Sequence, residues 1–485
     1  MNVITILIDS LNRHLIGPYG GEVPTPNLDR LASRSVVFDE HFVGSTPCMP
    51  ARRDLMTGRQ EFLWRPWGPL EPFDHPIALR AREAGAVTGI ITDHYHYWEY
   101  SAHGYFEFFN SVDMIRGNEL DMVNVEPLPS VPRWAQNIDR FRPQWGSHYY
   151  NNVKDFKQED DFFSPRTLAS ACNWLDANHS HEKFMLWVES FDPHEPFHIP
   201  EPYASMFTDE KRDDFNCWPP YQTGYHGHVE DWWKQASDRD VAYVRSQYKG
   251  MLAMIDAHLG KLLDKLDAYH LWGNTMVVLT TDHGHELGEK QRFGKQPPNY
   301  DLSAHIPLMI SLPGAAPGRR QALTQTTDLY PTILEALEAD PACHDGRSLL
   351  PLVRGEVPDH HRDALMYGEF GAGATVTDGH YTYHTGWDPD APLYNYCATM
   401  LLPCPEAEAG KFIPDVDCPV WKIPARNSAP IEELLFDRRT DPEQDHNILD
   451  ASPEIRRHMR QVLRSLMDQT GAPPEQYHRL MLDRD

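Results

Sequence analysis

The chain has 485 residues, 41% of them hydrophobic, enough for a large core and, by length, for one big domain with a smaller one beside it. Lys and Arg number 44 against 71 Asp and Glu, a formal net charge of −27, which argues against nucleic acid or an anionic membrane as the main partner. An anionic substrate would need a local cationic pocket set against that field. No stretch approaches the length of a transmembrane helix. The N-terminal segment to Asp9 carries no basic residues before its short apolar run, so it reads as a buried strand and not as a signal peptide, and a cytoplasmic location is expected. The cysteines, at 48, 172, 217, 343, 397, 404 and 418, show no zinc-like spacing and fit a reduced compartment, although Cys404 and Cys418 are placed so that they could pair.

In chain order, Val3 to Ile8 is an apolar run that ends at Asp9, and Pro26 to Ser35 reads as a helix. Val87 to Ile91 ends at Thr92-Asp93-His94. A helical stretch, Ser164 to Asn178, precedes the run Phe184 to Val188, which leads to Asp192-Pro193-His194. Asp240 to Tyr269 is helical, and Met276 to Leu279 then leads to Asp282-His283-Gly284-His285. Pro307 to Leu312 stops at Pro313-Gly314, and Asp328 to Ala339 closes the series as a helix. Near-continuous apolar runs alternating with helices predict an α/β fold with a largely parallel sheet covered on both faces. In such sheets the ligand lies beyond the carboxyl ends of the strands, where Asp9, Asp93, His194, Asp282 and His283 would project.

Residues 95–165 and 197–237 are rich in aromatics, Asn and Pro and have little periodicity. They read as excursions over the rim of the site or as cover for a sheet edge. The second includes Pro219-Pro220-Tyr221 and Trp232-Trp233. After about residue 365 the alternation fades into short strand-like runs, Tyr381 to His384 and Leu434 to Phe436, followed by a helix, Ser452 to Gln469. The expected division is therefore a catalytic α/β domain over 1–365 and a C-terminal α+β subdomain over 366–485.

Asp282 and His283 directly follow one strand and Asp9 another, while Gly284 permits close backbone approach. Two carboxylates and an imidazole around one divalent cation suit phosphoryl or sulfuryl transfer. Oxygen ligands favour calcium, magnesium or manganese, and the histidine shifts the balance toward manganese or zinc. In Cys48-Met-Pro-Ala-Arg52, Pro50 marks a helix start, so Cys48 would sit in the positive field of a helix N-terminus with Arg52 one turn on. Arg52 could anchor the metal ligands or form a surface ion pair with Asp54 or Glu40. His194, between prolines in Asp192-Pro-His-Glu-Pro196, is a candidate general acid. Lys295 follows the Asp-His-Gly segment closely enough to meet the oxygens of a transferring group.

Cys48-Met-Pro-Ala-Arg52 resembles the C-x-P-x-R signature of type I sulfatases, in which the cysteine is oxidised to formylglycine. The likeness to the sulfatase family of the alkaline phosphatase superfamily runs nearly end to end: Leu7-Ile-Asp-Ser-Leu11, Thr25-Pro-Asn-Leu-Asp-Arg-Leu31, Thr57-Gly-Arg59, Pro193-His-Glu-Pro-Phe197, Thr281-Asp-His-Gly-His-Glu-Leu-Gly288, Gly294-Lys295, Thr327-Asp-Leu-Tyr-Pro-Thr332 and Leu435-Phe-Asp-Arg-Arg439. The resemblance implies a large mixed, mostly parallel sheet flanked by helices and a small C-terminal part with a four-stranded antiparallel sheet. It also implies Asp9, Cys48, Asp282 and His283 as ligands of one divalent metal ion, with calcium or manganese expected. Arg52 would support the formylglycine, and His194 and Lys295 would contact the sulfate and leaving group.

Two departures stand out. Asp9 is followed by Ser10 where many sulfatases carry a second aspartate. The family's Gly-Lys-Trp-His segment reads Ile90-Ile-Thr-Asp-His-Tyr-His96 here, with Asp93 in the lysine's register and Tyr95 in the histidine's. His94 or His96 would have to act as the base, and along an extended segment only one of them would face the site. His94 is the one assigned.

The expected reaction is hydrolysis of sulfate monoesters through a covalent sulfo-enzyme, the geminal hydroxyls of the hydrated aldehyde serving for attack and for release. The related phosphonate monoester and phosphodiester hydrolases, which lack the Lys-Trp-His triplet, give the alternative substrate class. A non-catalytic binding protein that keeps Cys48 as a thiol is the reading from outside the enzymes. The partners implied are a small sulfate or phosphonate ester and a formylglycine-generating enzyme during maturation, with no nucleic acid and no membrane. A homo-oligomer is left open.

Overall fold

The computed structural model describes residues 1–99, 104–127, 130–136, 144–219, 236–342 and 345–483. The first part of the chain alternates strands and helices: β1 (Asn2–Ile8), α1 (Pro26–Ala32), β2 (Val36–Phe38), α2 (Cys48–Thr57), α3 (Ile77–Glu83), β3 (Val87–Thr92) and β4 (Ser111–Met114). It continues with α4 (Phe163–Asn178), β5 (Phe184–Ser190), α5 (Asp238–Ala268), β6 (Thr275–Thr280), β7 (Leu308–Ser311), β8 (Gly318–Arg320) and α6 (Leu329–Ala336). These eight strands form one sheet in the order β8-β2-β7-β6-β1-β5-β3-β4.

Every strand but β7 runs the same way. β7 follows the loops after β6 and returns beside it antiparallel, with Leu308 opposite Thr280, so no crossover helix is needed. This is what makes the sheet mixed. Each central strand feeds two cores by simple alternation. In β1, Ile4, Ile6 and Ile8 pack with α1, α4 and α5 on one face, while Val3 and Leu7 pack with α2, α3 and α6 on the other. β5 repeats the pattern, Leu186 and Val188 against Met185 and Trp187. Both faces are covered, so the runs read as continuously apolar.

The long helix α5 begins at a capping box, Ser237 and Asp240 bonding reciprocally to each other's backbone N–H. Midway along, Asp256 accepts hydrogen bonds from Asn27 N and Leu28 N at the start of α1, at 3.1 and 2.7 Å. It supplies the anion that the N-terminus of α1 attracts. The aperiodic segment 95–165 contributes the edge strand β4, so part of it does cover the sheet. In the second excursion, Pro220-Tyr221 and Trp232-Trp233 lie outside the described residues, as does Cys343.

The C-terminal part contains β9 (Leu365–Glu369), β10 (Ala374–Thr377), β11 (Tyr381–His384), β12 (Leu393–Cys397), β13 (Glu408–Gly410), β14 (Val420–Ala425), β15 (Leu434–Asp437) and α7 (Pro453–Gln469). The expected antiparallel sheet is β15-β11-β10-β9, and a fifth strand, Ser45–Thr46, joins its edge parallel to β9. Thr46 Oγ1 donates to Gly368 O at 3.1 Å. The residues just before Cys48 are thereby braced by the C-terminal sheet. A second, three-stranded sheet, β12-β14-β13, was not foreseen, because its strands are short and half-exposed and show no clean alternation. The described cysteines are all free thiols, so Cys404 and Cys418 do not pair. No described helix is long and apolar enough to cross a membrane.

Candidate active site

Because β1, β3, β5 and β6 are parallel, their carboxyl ends open on one side of the sheet, and the polar residues that follow them converge there. Asp9, Cys48, Asp282 and His283 are all buried and offer ligand atoms within 4.8 Å of one another. Cys48 is the first residue of α2, as the position of Pro50 implied, and its Sγ lies 3.3 Å from His283 Nε2. His283 Nδ1 donates to Gly284 O at 2.9 Å, which turns Nε2 inward as an acceptor. Gly284 is required here, since a Cβ would meet Leu302 O at 2.3 Å.

Arg52 organises the group. Its guanidinium is fully buried and donates to Glu189 Oε1 at 2.7 Å, Asp282 Oδ2 at 2.6 Å and Asp9 Oδ2 at 2.7 Å, while Nη1 also reaches Cys48 O at 3.1 Å. The surface ion pair with Asp54 or Glu40 does not form: Asp54 is buried against Ser45 N, and Glu40 pairs with Arg438. Burial pushes the Asp9 carboxyl up, but Arg52, His283 and Lys295 outweigh it and hold Asp9 at about 2. Asp282 is fixed further by Ser10 N at 3.1 Å and His283 N at 2.9 Å. Two carboxylates and one imidazole acceptor fit a hard divalent cation, with Cys48 Sγ marking where the oxygens of an oxidised side chain would lie. Burial pushes the Cys48 thiol well above its usual range. An unmodified thiol there is a poor nucleophile.

Lys295 and His194, 6% and 2% exposed, lie near this group. Burial opposes the charge on Lys295, yet Cys48, Glu195, Asp9 and Asp282 raise its pKa above the usual lysine range. His194 Nδ1 donates to Glu195 O at 2.8 Å, and its ring stacks on Phe191 with centroids 4.2 Å apart. Burial holds its pKa well below that of a free imidazole.

The segment after β3 departs from expectation. It is not extended: Tyr95–Trp98 is a turn of 3₁₀ helix, so strand alternation does not separate His94 from His96. Their ring centroids lie 5.0 Å apart, edge to face. His94 Nδ1 is 3.9 Å from Asp9 Oδ2, and neither ring nitrogen makes a hydrogen bond among the described residues. Burial depresses its pKa strongly. Asp93, expected to face the ligand, instead accepts from Phe191 N at 2.7 Å and Asn118 Nδ2 at 3.1 Å. It ties the end of β3 to the loop that carries His194.

Three carboxylates escaped the sequence reading as site residues. Glu189 pairs with Arg52 and accepts from Tyr97 Oη at 2.9 Å. Its signal was an acid inside the otherwise apolar β5. Glu195, seen only as part of a motif, pairs with His285 Nε2 at 3.0 Å. Glu119 comes from the loop after β4 and meets His194 and Glu195 within 4.8 Å. Nothing in its aperiodic surroundings marked it.

A family model described as Sulfatase matches residues 1–339. A multifunctional alkaline phosphatase superfamily protein of Trinickia caryophylli is 27% identical over 76% of this chain and 79% of its own length. A choline-sulfatase of Rhizobium meliloti is 24% identical over 73% and 72%. Among solved structures, a phosphonate monoester hydrolase of Agrobacterium radiobacter superposes with a TM-score of 0.69 at 20% identity, covering 97% of this chain and 96% of that one. That likeness shows the fold. The chain belongs to the sulfatase family, within the alkaline phosphatase-like superfamily, a family of enzymes that hydrolyse sulfuric esters.

Proposed function

We propose that the protein hydrolyses sulfate monoesters with a formylglycine made from Cys48 as its nucleophile. The observation that carries this reading is the placement of Cys48 Sγ 3.3 Å from His283 Nε2, grouped with Asp9 and Asp282 over the Arg52 clamp. A divalent cation, with calcium or manganese expected, would be held by Asp9, Asp282, His283 and the modified Cys48, and when bound it supplies Lewis acidity and lowers the pKa of the attacking hydroxyl. Lys295 faces the ester's oxygens and offsets their charge. One hydroxyl of the hydrated aldehyde loses its proton to solvent as it bonds to sulfur and the S–O bond to the alcohol breaks; His194, neutral in the free protein because it is buried, first takes up a proton from solvent and gives it to the departing alcohol. His94, kept neutral by burial, takes the proton of the second hydroxyl. The C–O bond to sulfate then breaks, the aldehyde re-forms, and water restores the hydrate. The domain division near residue 365 belongs to the same reading and is supported by β9 starting there.

Two measurements test this. Mass spectrometry of the Cys48 peptide, from protein made with a formylglycine-generating enzyme, should show conversion of the thiol to an aldehyde. An unmodified thiol beside a converted control sulfatase would end the mechanism. The second reading, a phosphonate monoester or phosphodiester hydrolase, draws on the replaced Lys-Trp-His segment. Catalytic efficiency on matched aryl sulfate and phenylphosphonate esters separates the two, and a strong preference for the phosphonate would replace the first with the second.

A further inference from the structure

Beside the metal-ligand group lies a second buried set, Glu119, His194 and Glu195, with ligand atoms within 4.8 Å of one another. Its two carboxylates come from different elements, the loop after β4 and the loop after β5. Among the described residues, Glu119 Oε2 and Glu195 Oε1 receive no hydrogen bond, although these residues are only 6% and 1% exposed. Buried acceptors are rarely left this way, and such atoms point to a missing donor or cation. His96 Nε2 stands 3.5 Å from Glu119 Oε2.

The wall next to Glu119 is aromatic. The His96 ring lies 4.1 Å from Tyr95 and 6.1 Å from Phe191 by centroid, and Phe191 in turn stacks on His194. A carboxylate beside ring faces is the chemistry that recognises alkylammonium groups. Burial and the nearby Glu195 carboxylate push Glu119 well above its ordinary range, so a neighbouring cation is needed to keep it ionised.

We propose that Glu119, with Tyr95, His96 and Phe191, forms a subsite for an organic cation on the leaving-group side of His194, so that the preferred esters carry an ammonium on their alcohol. The inference rests on the sulfatase reading above and adds the substrate's organic part. A divalent ion is the other occupant that two carboxylates and an imidazole could take. It would occupy His194, which the departing alcohol needs, and would sit against the Lys295 charge.

The test uses the formylglycine-bearing enzyme and an isosteric pair, 3-(trimethylammonio)phenyl sulfate and 3-tert-butylphenyl sulfate. The trimethylammonio group also makes the better leaving group, equally in both proteins, so the readout is the change in the kcat/KM ratio: wild type should favour the cationic ester by about tenfold or more beyond the ratio shown by Glu119→Gln. A thermal melt reports whether the variant folds. On wild type alone, tetramethylammonium chloride should inhibit hydrolysis of the cationic ester competitively, more than sodium chloride at equal ionic strength. Turnover of both esters with the same ratio in wild type and Glu119→Gln overturns the subsite and leaves the sulfatase reading standing. Turnover of neither overturns both. A second metal ion per chain by elemental analysis, lost in Glu119→Gln, overturns the organic cation in favour of a metal.

Discussion

The two halves of the site are built on opposite principles. Around Arg52 the polar groups are saturated: Asp9, Asp282 and Glu189 each accept from the guanidinium, and Asp282 also takes backbone donors from Ser10 and His283. Around His94, Glu119 and Glu195, buried polar atoms lack hydrogen bonds among the described residues. The saturated half is organised before any ligand arrives, as the end of a reaction common to a family requires. The unsaturated half keeps its bonding capacity for whatever enters, and there the chemistry of one substrate can be selected.

The sharpest break in this comparison is removal of the proposed nucleophile. Cys48→Ala should lower kcat/KM on an aryl sulfate by at least ~10³-fold with little change in the melting temperature, because the lost group acts only in the reaction. Next, Arg52→Gln should destabilise the fold by about 3–5 kcal/mol in urea titration, because it strands three buried carboxylates. If Arg52→Gln melts like wild type, the clamp is not what assembles the saturated half.

His94→Ala should lower kcat by about 10²–10⁴ while leaving stability within roughly 1 kcal/mol, since its ring nitrogens make no bonds to lose among the described residues. Burst kinetics would show sulfo-enzyme accumulating. Loss of activity without a burst would move the base elsewhere, with His96 next in line.

A saturated ion pair outside the ligand group sets the scale for pH effects. Burial pushes the Asp328 carboxyl up, but Arg362, His361 and their hydrogen bonds hold it far below its ordinary value. A lowered folded pKa means the stabilisation is present above the unfolded value, ~3.9, and is lost as pH falls through and below it. Melting temperature should therefore fall steeply between about pH 5 and pH 2 in wild type and less steeply in Asp328→Asn. Equal slopes would show that other carboxylates govern acid unfolding. The smallest effect belongs to Glu119→Gln, which should leave the stability of the ligand-free protein within about 1 kcal/mol, because burial already disfavours the charged carboxylate there and the amide keeps its shape.

Much of the saturated half was legible because it follows strands. Asp9, Asp282 and His283 stand immediately after apolar runs, and a parallel sheet delivers all such positions to one edge. Cys48 and Arg52 were legible from Pro50 and helical spacing. Glu189 was harder, since one acid in an apolar strand has no stated partner until a guanidinium is placed beneath it. The unsaturated half was read less well. The alternation argument failed at His94 and His96 because the chain turns into 3₁₀ helix after Thr92, and the apolar pattern does not record that turn.

Local residue patterns therefore specify the layered α/β architecture, the chain order of its elements and the residues that a strand end or helix start presents, because burial on both faces imposes a local period. Tertiary structure decided the rest. It fixed which carboxylates share Arg52, brought the loop of Glu119 against His194, and paired Ser45–Thr46 with a C-terminal sheet more than 300 residues later. Those contacts join segments with no common periodicity, and only the packed chain sets the distances between them.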